Sequence, residues 1–380
     1  MHFDARRYDN GQIVRLEIAQ GQVARATTIQ PASDASLPWV APGFVDVQVN
    51  GYLGQEFSSL ELTPEKVAKI VTLHYSFGVT RICPTLTTQS LDVLSHGMRA
   101  IHQAAESSPA LARLIAGIHL EGPYFSTEDG ARGAHPKEHC RRPDWDEFQR
   151  LQEAAGGRIA ILTMSCEFEE SPEFIARVSA SGVVVAIGHT GANSAQIRAA
   201  VDAGARLSTH LGNGAHRQLP RHPNYLWDQM AEDRLVASLI VDGHHLPPEV
   251  VKTMVRAKTP ARAILVSDES GLAGLPPGKY TSSGCELEIL EDGRLVIAGQ
   301  RQLLAGAALP IGDGVANVMR FAGVDLRTAI EMASVQPARL LRRDEGGLKP
   351  GDVADLVLFE LSDAGLKVKK TMALGEWVYG

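Results

Sequence analysis

From residue 42 onward the chain repeats one rhythm: a short apolar run, then a stretch whose apolar positions are spaced for a helix. The apolar runs fall at 44–49, 79–84, 115–121, 159–165, 183–189, 206–211, 236–242 and 262–268. Helical patterns lie between them, including 64–76, 90–105, 171–181, 194–203 and 247–257. The first of these has Thr63 as a cap and Pro64 at its first position, a favoured helix start. Eight strands alternating with helices predict an α/β fold, a (β/α)8 barrel of the TIM type.

The flanking segments keep a different rhythm. Residues 1 to about 40 alternate apolar and polar with a turn signal at Asp9-Asn10-Gly11, and 354–380 alternates again. This predicts a small β-sandwich domain built jointly by 1–41 and 346–380, with the barrel spanning 42–345. After the eighth strand, "ELEILEDGRLVIAG" (286–299) reads as a hairpin turning at Asp292-Gly293, and two helices follow near 310–322 and 327–342.

Composition excludes several roles. The 380 residues carry 44% hydrophobic and 21% charged side chains, as a packed globular protein does. A net charge of −7 without any basic run argues against a nucleic-acid partner. No apolar stretch approaches the ~20 residues of a membrane helix, so no membrane association is expected. The charged N-terminal segment lacks the apolar core of a signal peptide. Cys83, Cys140, Cys166 and Cys285 are widely spaced with no CxxC pair, which fits reduced thiols in a cytoplasmic protein.

In barrels of this kind the C-terminal strand ends carry the chemistry. Here they read Gln48-Val49-Asn50-Gly51, His119-Leu120-Glu121-Gly122-Pro123, His189, His210, Asp242-Gly243-His244-His245 and Asp268-Glu269. Polar groups at six strand ends are hard to attribute to stability, because an unpaired buried polar group costs a few kcal/mol. Taken singly, each histidine also reads as a hydrogen-bonded core residue. Together, Glu121, His189 and His210 make a catalytic metal site with an open position for water. The glycines after them leave room for a substrate to approach the backbone. Asp268 reads either as a general base or as a helix cap in "SDES"; its place at the barrel mouth favours the base.

These residues carry a resemblance. The chain is similar to the N-acetylglucosamine-6-phosphate deacetylases of the amidohydrolase superfamily, through "PGFVDVQVNG", "GIHLEGPYF", "GAHP", "GHTGA", "THLGN", "VDGHH", "LVSDE", "LAGAALP" and "GGLKPGDVADLV", in family order over nearly its whole length. The resemblance implies that Glu121, His189 and His210 hold the metal and that Asp268 is the catalytic acid/base. It implies that His135 touches the substrate and helps polarise the acetamide carbonyl, with Ala134 beside it. It further implies that Asn213 and Gly214 hold the sugar phosphate, that Arg221 binds phosphate, and that His245 makes a phosphate-side contact, in some members across a subunit interface. Leu304, Ala305 and Gly306 match a loop that contacts the sugar, and the family suggests a homodimer. Many amidohydrolases carry His-x-His on the first strand and bind two metals. Gln48-Val49-Asn50 stands there instead, and neutral amides are poor ligands, so one divalent ion per subunit is expected, most simply Zn²⁺. Gln48 is open to two readings, a contact to the metal water or substrate, or a hydrogen-bonded group at the mouth.

The chain departs from the family around the sugar pocket. "HLGNGAH" stands where "HLYNAM" is usual, "RHPN" where Arg-Glu-Pro-Gly is common, and "TMSCE" where a proline-glutamate ending is. His216 and Arg217 are additional basic groups, read either as phosphate contacts or as solvated loop residues. The expected reaction is metal-assisted hydrolysis of the acetamide of a phosphorylated amino sugar. The rivals are an amidohydrolase for another N-acyl small molecule, which needs neither Arg221 nor His245, and a non-enzymatic barrel scaffold, which has no need to keep ligands and base together.

Overall fold

Trp39–Pro42 and Phe44–Val49 run end to end, and this extended stretch serves two sheets in turn. The structure, a computed structural model, describes residues 1–30, 37–282, 285–343, 346–363 and 365–380. The expected boundary at 345/346 touches residue 345, which lies outside the described residues. Trp39–Pro42 is the seam of a seven-stranded sheet, parallel to His2–Arg7 on one side and antiparallel to Leu356–Ser362 on the other. Ile13–Ala19 and Gln22–Thr28 extend it one way, Gly365–Ala373 and Glu376–Tyr379 the other. The sheet curls on itself. Gln22 forms a bridge with Val353, and residues of both halves share one core, among them Val14, Leu16, Val23, Leu356, Leu358 and Met372.

Past Gly43 the same stretch becomes the first strand of the barrel. Eight parallel strands follow one another in chain order: β1 (Phe44–Val49), β2 (Val79–Thr87), β3 (Ile118–Glu121), β4 (Ile159–Met164), β5 (Val184–Ile187), β6 (Leu207–Ser208), β7 (Val236–Ile240) and β8 (Ala263–Val266). The ring closes between its ends. Val49 and Glu269 form a parallel bridge, Asp268 N donates to the Gln48 carbonyl at 3.0 Å, and Asn50 N donates to that of Glu269 at 2.8 Å. Val45, Cys83, Ile161, Ala186, Leu207, Ile240 and Ile264 fill the lumen, so the barrel is a packed core with its chemistry confined to the rim. Helices cover the outside, and their starts follow the sequence signals. Thr63 Oγ1 accepts from Lys66 N at 3.3 Å with Pro64 at the first position, and Asn193 forms a capping box with Gln196.

Two segments differ from the expected pattern. The hairpin turning at Asp292-Gly293 is present, but it is the middle of a four-stranded sheet, Gly278–Ser282, Cys285–Ile289, Leu295–Ile297 and Gln300–Leu304. The outer strands are rich in polar residues ("GKYTS", "QRQLL") and lack a clear alternation. The helix expected over 327–342 is two, Leu326–Ala333 and Val335–Leu340. Pro337 accounts for the break, since its ring would clash with the Ala333 carbonyl in a continuous helix.

Asp355 ties sheet to barrel. Its carboxylate accepts from Arg113 Nε at 2.7 Å and from Leu374 N at 2.8 Å, and its carbonyl accepts from Gly43 N at 2.9 Å. Charged hydrogen bonds of this kind contribute about 1.5–3 kcal/mol each. Asp355→Ala should lower the unfolding free energy by about 2–3 kcal/mol while leaving kcat at 25 °C unchanged; an unaltered melting temperature would refute the tie.

Candidate active site

Glu121 is the last residue of β3, whereas His189, His210 and Asp268 each stand two positions beyond the last residue of their strands. All three take left-handed backbone, with φ of 49°, 29° and 54°. Histidine and aspartate tolerate that region better than most residues, but it still costs free energy. It recurs after three of the eight strands, β5, β6 and β8, so the kink is a shared device for turning side chains over the rim. Small neighbours make room for it. A Cβ on Gly188 would lie 2.7 Å from Thr163 Cγ2, and one on Gly214 would lie 2.6 Å from His189 Nδ1.

The side chains converge. Glu121 Oε1 lies 3.0 Å from His210 Nε2 and 3.4 Å from His189 Nε2, and the two Nε2 atoms are 3.1 Å apart. All three residues are buried, and among the described residues they form the one cluster with ligand atoms close enough to share an ion. His189 Nδ1 faces the Ala131 carbonyl at 3.1 Å, an acceptor only, so the ring hydrogen belongs there and Nε2 presents its lone pair inward. Two imidazole nitrogens and a carboxylate oxygen converging at these separations are a donor set that suits a divalent cation. The residues therefore fit a metal. Burial works to raise the Glu121 carboxyl, but the two imidazoles outweigh it and hold it well below the usual range. Burial also opposes protonation of His210, and there Glu121 prevails and raises it; His189 is lowered by its burial.

Around this cluster, Gln48 Nε2 donates to Glu121 Oε1 at 3.0 Å, so its amide orients the candidate ligand. His135 Nε2 lies 3.3 Å from His189 Nε2, and Phe125 packs on both rings at 4.6 Å between centroids. Burial, with His189 beside it, lowers His135 to about 3, so it is a neutral imidazole with one N–H to offer. Asp268 is raised to about 6 by burial and the Glu121 charge, a value suited to taking and returning a proton.

The other expected positions are arranged less tightly. Asn213 Nδ2 donates to the His210 carbonyl at 3.2 Å, and Gly214 lies against the His189 ring. His245 Nδ1 is held 2.7 Å from Asp242 Oδ2. Leu304, Ala305 and Gly306 precede Ala307, whose N donates to the Asp268 carbonyl at 3.3 Å. Ala134 and Arg221 are exposed, and Arg221 has no hydrogen-bond partner among the described residues. His216 joins Tyr225 OH at 2.9 Å and Glu128 at 3.2 Å, linking the loop that carries His135 to the loop that carries Arg221.

Sequence reasoning placed Asn50 at the end of the first strand but gave it no role of its own; its Nδ2 donates to Asp268 Oδ1 at 2.9 Å. Sequence reasoning passed over the string beneath the ligands, in which Thr163 Oγ1 lies 2.7 Å from both His119 Nε2 and Thr209 Oγ1. Barrel closure contained the signal for Asn50, because a polar residue ending the first strand must neighbour one ending the eighth.

The Amidohydrolase family model matches residues 39–378. The chain belongs to the amidohydrolase family. It is 34% identical to N-acetylglucosamine-6-phosphate deacetylase of Bos taurus over 351 residues, 90% of this chain and 83% of that one. It is 31% identical to N-acetylgalactosamine-6-phosphate deacetylase of Escherichia coli O157:H7 over 368 residues, covering 95% and 94%. Among solved structures it resembles the Mycobacterium smegmatis N-acetyl-D-glucosamine-6-phosphate deacetylase in complex with N-acetyl-D-glucosamine-6-phosphate, with a TM-score of 0.87, 30% identity and full coverage of both chains.

The Gly214 contact yields a test. Gly214→Ala places a methyl group against His189 in a backbone region unfavourable to alanine. It should weaken metal binding roughly 10–100-fold, read as metal per chain after dialysis, with the fold retained by circular dichroism. Full metal retention would show that Gly214 does not hold the His189 ring in place for the metal.

Proposed function

We propose that the protein hydrolyses the acetamide of N-acetylglucosamine-6-phosphate to glucosamine-6-phosphate and acetate, as a metal-dependent deacetylase of amino-sugar catabolism. The observation that carries this is the convergence of Glu121, His189 and His210, with Asp268 close enough to feel the charges of Glu121 and His210. The named activity of relatives that match nearly the whole chain supports it.

An ion held by Glu121, His189 and His210 supplies Lewis acidity and lowers the pKa of water. We take it to be one Zn²⁺ per subunit, from the two-imidazole, one-carboxylate donor set and the amides on β1. Asp268 removes the proton of the attacking water, and Asn50 fixes the carboxylate that receives it. His135 donates to the oxygen of the tetrahedral acetamide carbon as charge develops there. Asp268 then returns the proton to the leaving amine. Ala134, Leu304, Ala305 and Gly306 are the inferred contacts to the sugar, and Asn213 and Gly214 those that hold the sugar phosphate. Arg221 and His245 are those to the phosphate, where a guanidinium grips two oxygens at once. The family resemblance supports a homodimer, and the unpaired spacing of the cysteines supports a cytoplasmic location.

The Escherichia coli relative named for the galactose epimer favours a second reading in which the 4-hydroxyl configuration differs. Comparing acetate release from both sugar phosphates and from unphosphorylated N-acetylglucosamine separates the possibilities. Asp268→Asn should cut turnover roughly 10²–10⁴-fold with metal content intact. Arg221→Ala should raise KM for the phosphorylated sugar roughly 10–100-fold and leave the unphosphorylated one unaffected. Turnover that ignores the phosphate would move the substrate to another N-acyl compound.

A further inference from the structure

Glu269 follows Asp268 directly, yet its side chain turns away to meet His74. Glu269 Oε2 lies 3.1 Å from His74 Nε2, and each side chain is 1% exposed. His74 begins the short helix His74–Phe77 that follows Pro64–Leu73, and Tyr52 and Phe77 pack edge-on against its ring at 5.5 and 5.7 Å. Its Nδ1 faces the Ile70 carbonyl at 2.8 Å. Both ring nitrogens therefore face oxygens, and the Nδ1 side accepts only. The pair holds a proton beyond those of a neutral imidazole and a bare carboxylate, shared between two groups sealed from water.

A buried ion pair is weak evidence for stability, since apolar packing in its place is often neutral or better. Its location suggests another use. The Glu269 backbone is bridged to Val49 on one side and to Ala307 on the other. Its carbonyl accepts from Asn50 N at 2.8 Å, and its N donates to Ser267 Oγ at 3.3 Å. Asn50 in turn donates from its side chain to Asp268 Oδ1. The His74–Glu269 contact thus clamps the peptide that sets both Asp268 and the amide holding it. Asp268 sits at φ 54°, a conformation that persists only where its surroundings over-determine it.

We propose that His74 and Glu269 are positioning residues for Asp268, fixing the end of strand eight so that its carboxylate keeps one orientation through both proton transfers. The inference rests on reading Asp268 as the acid/base. The experiment measures acetate release from N-acetylglucosamine-6-phosphate by zinc-loaded protein, with zinc per chain determined in parallel. The proteins are wild type, Glu269→Gln, His74→Gln, Asp268→Asn and Asp268→Asn/Glu269→Gln. We expect each of the first two variants to lose about tenfold in kcat, with KM within twofold and zinc content full. In the Asp268→Asn background, Glu269→Gln should cost nothing further in the residual single-turnover rate, because the group it positions is already gone. Three results would overturn the proposal: kcat within twofold of wild type in both single variants, the same loss repeated in the Asp268→Asn background, or zinc lost together with activity. Near-normal activity of Asp268→Asn itself would instead remove the acid/base reading, a failure distinct from a silent pair. Should a single variant not fold, His74→Gln/Glu269→Gln, which sets amide against amide in the same space, carries the comparison.

Discussion

Asp268 N donates to Gln48 across the closing edge of the barrel, and Asn50 N donates back to Glu269 one step along. This short parallel pairing between the first and eighth strands positions two amides of the mouth at once. It sets Gln48 where its amide reaches Glu121, and Asn50 where its amide reaches Asp268. A slip of one residue in a strand turns every side chain to the opposite face. At this edge it would separate the candidate base from its partner and the candidate ligand from its orienting amide at once.

Three groups leave the rim through the same backbone gesture. His189, His210 and Asp268 all step into left-handed φ two residues past their ladders, while Glu121 reaches the same space from within its strand. A strand continued in regular geometry would send alternate side chains into the lumen, which apolar residues fill. The kink redirects them across the top. Glycines pressed against the rings, Gly133 and Gly214 on His189 in particular, keep that turn free of obstruction.

The barrel was legible because its signal is periodic. Apolar runs alternating with capped amphipathic segments located all eight strands, and polar residues at the run ends located Glu121, His189, His210 and Asp268. What stayed hidden depends on neighbours distant in sequence. Asn50 gains its partner only when the ring closes over a sequence separation of 218, and His74 meets Glu269 across one of 195. The outer strands of the four-stranded sheet were missed for lack of a hydrophobic stripe. The break near Ser334 was missed because helical periodicity runs through Pro337 undisturbed, although the proline itself was in view.

The seam at Trp39–Pro42 also bears on the order in which the molecule can be assembled. This strand lies between His2–Arg7, already made when it emerges, and Leu356–Ser362, made more than three hundred residues later. Throughout synthesis of the barrel, the leading strands hold an unpaired edge and half of a hydrophobic core. The ribosome thus presents a growing chain whose first-made strands are completed nearly last, a long-range closure that is slow and open to wrong pairings in the meantime.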